Sequence, residues 1–283
     1  MGANVFEAKE LAHAVLGAIT STGDGEYNHR MSGVTRCPRD AVLQAQGHKW
    51  TNPPRPEWGD QVTFDMGHSG EARIIRYLEK AGIEVVAQQL SVVASSPMGL
   101  RITGHIDGAV LIPPHMPMGG KWYLMDVKTT SNYGYAQVVK SGEPKVGHRD
   151  QLVGYKYSII DDPDYPLQRG VMVKDMEFDG YEWGGMMVIY HPKERPTTGW
   201  GPKKEELDRL TFVVFDEDEA LHEAATDVFD LIEHHIKEET LPRIPDPSDE
   251  TVWGGWDKTK KAYVARRCCA RWCRRYDICR EIG

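Results

Sequence analysis

Residues 5 to 19 bring Val5, Leu11, Val15 and Ile19 round at helical intervals, and the stripe predicts an amphipathic helix. The stretch MSGVTRCPRDAVLQAQG then offers Pro38 as a helix start, because proline lacks the N–H that the first turn leaves unpaired anyway. Cys37 stands just before that helix. A proline-rich loop, TNPPRPEWGD, leads into a longer helical pattern from about Gln61 to Lys80, ended by Gly82.

Beyond Gly82 the period changes. EVVAQQLSVVA, LRITGHIDGAVLI and KWYLMDVKT are rich in β-branched and aromatic residues, bounded by proline and glycine, and predict three consecutive strands. HRDQLVGYKYSII returns to a helical pattern; GGMMVIYH and RLTFVVF predict two more strands, and a helix follows from about Glu217 to Lys237. The linker LPRIPDPSDE separates these elements from a C-terminal tail.

Length and composition set bounds on this plan. With 283 residues, 40% of them hydrophobic and 27% charged, the chain can bury an ordinary globular core. Its apolar runs are short and interrupted, and its N-terminus lacks a signal-peptide pattern, so the expectation is a soluble cytoplasmic protein with no membrane segment. Five cysteines, four of them clustered in RRCCARWCRRYDIC, point to metal ligation rather than a disulfide framework. The formal net charge is -8, yet Lys258 to Arg280 holds nine Lys or Arg against the single acid Asp277. That basic patch on an acidic chain suits a phosphate backbone.

The strand pair around Pro113 concentrates the chemistry. If PPHMPMGG, residues 113 to 120, is the loop of an antiparallel hairpin, facing positions sum to 233 and Asp107 lies opposite Asp126. Alternation puts Lys128 on the face of Asp126, and His105 on that of Asp107. Two carboxylates so placed repel unless a cation lies between them, and an all-oxygen environment favours Mg²⁺ or Mn²⁺.

GHIDG followed by MDVKT resembles the core of the PD-(D/E)XK nucleases, in which an Asp on one strand and a D/E-x-K on the next form the metal site. G-x-x-x-E at Gly67 to Glu71 and Q-x-x-x-Y at Gln151 to Tyr155 resemble the RecB-like branch of that superfamily. The resemblance implies an α/β fold with a restriction-endonuclease-like core, a central mixed sheet flanked by helices, and an iron-sulfur-bound C-terminal segment. It implies an N-terminal helical segment over 1–30, a nuclease core over 31–240 and a cysteine-rich basic segment over 241–283.

It further implies that Asp107, Asp126 and the carbonyl of Val127 hold a divalent ion, with Glu71 completing the shell or binding a second ion. Lys128 would position the attacking water and stabilise charge in the transition state; its competing role is a salt bridge to Asp126. Gln151 and Tyr155, four residues apart on one helical face, would orient the site and the DNA. Many relatives have His where this chain has Glu71, and His68 is the fallback. Trp122, Tyr133 and Tyr135 are candidates for base stacking or for the core.

SGVTRCPRDAVL resembles the surroundings of the first ligand of a four-cysteine 4Fe–4S cluster in such nucleases, with three more cysteines at the C-terminus. Cys37, Cys269, Cys273 and Cys279 are the implied ligands. The family's C-x2-C-x5-C becomes C-x3-C-x5-C here, and Cys268 rivals Cys269. Soft thiolates also bind Zn²⁺, which leaves a zinc-containing, non-catalytic nucleic-acid-binding module open. Arg271, Arg274 and Arg275 stand beside these cysteines as DNA-binding candidates.

The resemblance favours a metal-dependent exonuclease on single-stranded DNA or free ends, acting in phage or bacterial recombination, repair or replication beside the proteins of those processes. An endonuclease on the same core is the alternative. Related nucleases can form rings, which keeps a homo-oligomer open.

Overall fold

The computed structural model describes residues 27–34, 37–48, 58–192, 210–242, 255–257 and 262–264, with the side chains of 58–68 and of the last two segments outside the description. The chain divides into two compact units. The smaller contains α1 (Pro38–Ala45), which begins at Pro38 as the sequence predicts, with Cys37 as its N-cap. There the buried Arg39 donates to the Pro242 carbonyl at 2.7 Å, and Gln46 donates to the Thr240 carbonyl at 3.2 Å. The helix predicted over 5–19 lies outside the described residues.

The larger unit takes in His29–Thr35 and most of α2 (Trp58–Lys80), a helix close to the predicted span. The three strands expected after it are five: β1 (Glu84–Val86), β2 (Leu90–Ser95), β3 (Arg101–Ile106), β4 (Gly108–Ile112) and β5 (Lys121–Thr130). Two breaks make the difference. Ala87 and Gln89 take left-handed backbone conformations, φ 52° and 54°, which no extended strand accommodates. At the second break Gly108 has φ 156°, and a Cβ there would lie 3.1 Å from the Val86 carbonyl oxygen.

At both breaks the chain changes sheet. After β5 come α3 (Asn132–Ser141), α4 (Val146–Lys156), β6 (Ile159–Ile160), β7 (Glu182–Pro192), β8 (Thr211–Phe215) and α5 (Glu219–Lys237). The last two residues of the stretch read as helical, Ile159 and Ile160, are therefore a strand; they bridge to β2. A large sheet of order β1-β4-β5-β7-β8 is antiparallel except for the parallel pair β5–β7, and a small one has order β3-β2-β6. The short hairpin β9 (Gly255–Asp257) and β10 (Ala262–Val264) belongs to the smaller unit.

The result is a mixed α/β architecture whose central mixed sheet is flanked by helices. Ile74, Ile75 and Leu78 of α2 bury one face against Val110, Ile112, Tyr123, Met125, Val127, Met187 and Ile189. On strand β5 that accounts for the odd positions, so the even positions face the other way. That second face lies under α3 and α4, which pack on β5 and β7. Ser131 caps α3, its hydroxyl accepting from the Gly134 N–H at 3.2 Å, and Gly142 closes the helix. Among the described residues no helix is long and apolar enough to cross a membrane.

Candidate active site

Strand β4 begins at Gly108 opposite Met125, so the hairpin has the register the sequence predicts and its loop is 113–120. Asp107 itself falls in neither strand. It occupies the step between the sheets, where β4 no longer reaches β5, and its Oδ2 accepts the N–H of Val127 at 2.8 Å. The carboxylate thus replaces a missing strand partner, and it lies near enough to Asp126 for the two charges to repel. His105, by contrast, belongs to the small sheet opposite Ser91, and its exposed side chain is not carried onto the face of Asp107 by alternation.

Asp126 and Lys128 lie on the helix-covered face of β5. Lys128 Nζ donates to Asp126 Oδ1 at 2.7 Å, so the salt bridge is present. Asp126 is 1% exposed, and its other oxygen, Oδ2, is buried with no hydrogen-bond partner. Leaving such an acceptor unmatched costs about 1–3 kcal/mol, more when it is charged. Glu71 reaches the cluster from α2, with its Oε1 held by the Gln89 amide at 2.7 Å.

Three acids against one ammonium make a strained set. Burial, then the neighbouring charges of Asp126 and Glu71, push Asp107 up to about 7. Burial also raises Asp126, despite the pull of Lys128. Burial would lower Lys128, but Asp126, Asp107 and Glu71 outweigh it, and the ammonium is held above its ordinary range.

Helix α4 supplies the cover. Gln151 Nε2 donates to the Tyr155 hydroxyl at 3.0 Å, and burial, reinforced by the charges of Asp126 and Asp107, raises the Tyr155 hydroxyl's pKa. Tyr155 packs closely on the small sheet: a Cβ on Gly104 would stand 2.4 Å from its ring carbon Cε1. The Q-x-x-x-Y helix therefore locks the two sheets together next to Asp107.

Three polar residues escaped the sequence reading. Tyr190 pairs with Lys128 across β5–β7, and its hydroxyl contacts His148 Nδ1 at 2.8 Å and the Lys145 N–H at 3.0 Å. Lys145 Nζ donates to Thr130 Oγ1 at 2.7 Å. Burial, then the charges of Lys128 and Lys145, push His148 down to about 3. His148 was findable, since it precedes Gln151 by one helical turn and shares its face.

Trp122 and Tyr135 are buried, at 1% and 0% exposure, while Tyr133 is half exposed. Cys268, Cys269, Cys273, Cys279, Arg271, Arg274 and Arg275 lie outside the described residues, as does the side chain of His68.

Among the described residues no three His, Cys, Asp or Glu side chains are already gathered closely enough to enclose an ion. The donor chemistry nevertheless fits one: the acids are all oxygen donors, mutually repelling, and one buried oxygen is unmatched.

No family model matches the chain, and neither does any curated protein. Among solved structures it is similar to the crystal structure of SSO0001, at 13% identity and a TM-score of 0.42 over 80% of this chain and 85% of that one. It is also similar to LHK-Exo in complex with dAMP, at 12% identity and a TM-score of 0.37 over 74% of this chain and 93% of that one. Both superpositions are too loose to carry fold family or chemistry.

Proposed function

We propose that this protein is a divalent-metal-dependent deoxyribonuclease of the PD-(D/E)XK type, RecB-like in its helices, that hydrolyses DNA from an end and prefers single strands. The observation that supports it most is the meeting of Asp107, just ahead of the hairpin, with Asp126-x-Lys128 on its second strand, where the buried Asp126 Oδ2 has no partner among the described residues. A structural salt bridge explains Lys128 with Asp126 Oδ1, but it leaves that second oxygen and the elevated Asp107 without a purpose.

Asp107, Asp126 and the Val127 carbonyl would hold Mg²⁺ or Mn²⁺, with Glu71 turning from Gln89 to join them. When bound, the ion supplies Lewis-acid chemistry at a phosphate oxygen and at water. Lys128, kept charged by the acids around it, offers donors to the attacking water and to charge developing on the phosphorus oxygens. Gln151 and Tyr155 hold the roof of the site in place. The cysteine pattern extends the reading to a 4Fe–4S cluster on Cys37, Cys269, Cys273 and Cys279, with Arg271, Arg274 and Arg275 beside it to grip the strand.

The test is cleavage of end-labelled single- and double-stranded DNA with Mg²⁺ or Mn²⁺. Metal-dependent loss of label that Lys128→Ala abolishes supports the reading. Circular single-stranded DNA left intact separates an exonuclease from the endonuclease alternative.

A further inference from the structure

His148 has a hydrogen-bond arrangement that a merely buried histidine would not need. Tyr190 is 0% exposed, and its hydroxyl has two partners among the described residues: the Lys145 N–H, which can only donate, and His148 Nδ1. The buried hydroxyl proton therefore goes to Nδ1, the one group there able to accept it. This sets the tautomer, and the proton of the neutral ring sits on Nε2. Among the described residues Nε2 makes no hydrogen bond, and His148 keeps part of its surface exposed.

The ring also stands in a defined place. Tyr190 is the register partner of Lys128, and His148 lies one helical turn before Gln151 on α4. The carboxylates of Glu71, Asp107 and Asp126 therefore share their surroundings with the ammonium of Lys128, and His148 lies within the reach of that charge. A phosphodiester carries one negative charge over two non-bridging oxygens, which suits a cation on one side and neutral or charged donors on the other.

We propose that His148 is a phosphate-orienting residue whose Nε2–H donates to a non-bridging oxygen of the DNA strand being cut, beside Lys128. This rests on the nuclease reading above and assigns a contact that reading does not require. A neutral donor suits the position better than a further cation, whose charge would oppose a divalent ion held by the neighbouring carboxylates. The depressed imidazole agrees with this, since it stays uncharged through neutral pH.

The experiment measures binding apart from cleavage. Fluorescence anisotropy with a labelled single-stranded oligonucleotide, in a Lys128→Ala background, should show His148→Ala weakening DNA binding by about 10-fold or more, the scale of one hydrogen bond to a charged group. His148→Gln, which restores an N–H, should recover most of it. In the Lys128 protein, His148→Ala should raise KM while the protein stays folded, and His148→Gln should bring KM back.

If His148→Ala binds and cleaves like the wild type while Lys128→Ala is inactive, the orienting role is overturned and the nuclease reading stands. If the wild type cleaves no DNA with either metal, the nuclease reading itself fails. Should His148→Ala not fold, Tyr190→Phe keeps the core ring and removes only the hydroxyl that sets the tautomer; it is expected to weaken binding similarly, and wild-type binding would overturn the proposal.

Discussion

Replacing Asp107 with Asn should make the metal-free protein more stable while ending its activity. Asp107 is raised from 3.8 to about 7 by burial and by the charges of Asp126 and Glu71. In the folded state it therefore holds its proton between about pH 4 and pH 7, where the unfolded chain has released it. Its contribution is fully present below the unfolded value and is lost as pH rises through 7. One pKa unit corresponds to about 1.4 kcal/mol, so the ionised side chain costs up to about 4 kcal/mol at pH 8.

Asn remains neutral at every pH, and its side-chain oxygen can still accept the Val127 N–H that Asp107 accepts at 2.8 Å. Without metal at pH 8, Asp107→Asn should melt higher by several degrees, at roughly 2–4 °C per kcal/mol. At pH 5 the gap should shrink to less than half, and below about pH 4 the two proteins should melt together. Mg²⁺ should raise the melting temperature of the wild type and leave the variant unmoved. A variant that melts at or below the wild type at pH 8, or that gains as much from Mg²⁺, would refute the picture of crowded carboxylates awaiting a cation.

The remaining predictions concern the cover and the tail. His148 is neutral when folded down to about pH 3, so stability present above pH 6.5 should drain away as pH falls from there; His148→Gln should flatten that acid limb in denaturant titrations. Gly104→Ala drives a methyl into the Tyr155 ring and should destabilise by about 1–3 kcal/mol, with a loss of cleavage out of proportion to the unfolding. Anaerobically purified protein should be brown and contain iron; Cys269→Ala should lose the colour and Cys268→Ala keep it, whereas colourless protein containing zinc would count against the cluster.

The sequence located the hairpin because its signals are local. A glycine- and proline-rich loop of fixed length set the 233 register, and alternation then put Asp126 and Lys128 on one face. It misplaced His105 because alternation holds only within one strand, and the chain crosses between sheets at Asp107. It missed Tyr190 for a different reason. A parallel pairing with β5 is made through a long crossover, so Tyr190 and Lys128 become neighbours only once the sheet order is known. Asp107 as a substitute strand partner for Val127 was likewise invisible, since it depends on β4 starting only at Gly108.

The most direct test of the central claim is the rate at which the purified protein releases label from end-labelled single-stranded DNA, with and without Mg²⁺ or Mn²⁺, beside a folded Lys128→Ala variant. The geometry predicts release that requires the metal and vanishes in the variant. Release without added metal in the presence of a chelator, or a variant that cuts at the wild-type rate, would contradict it.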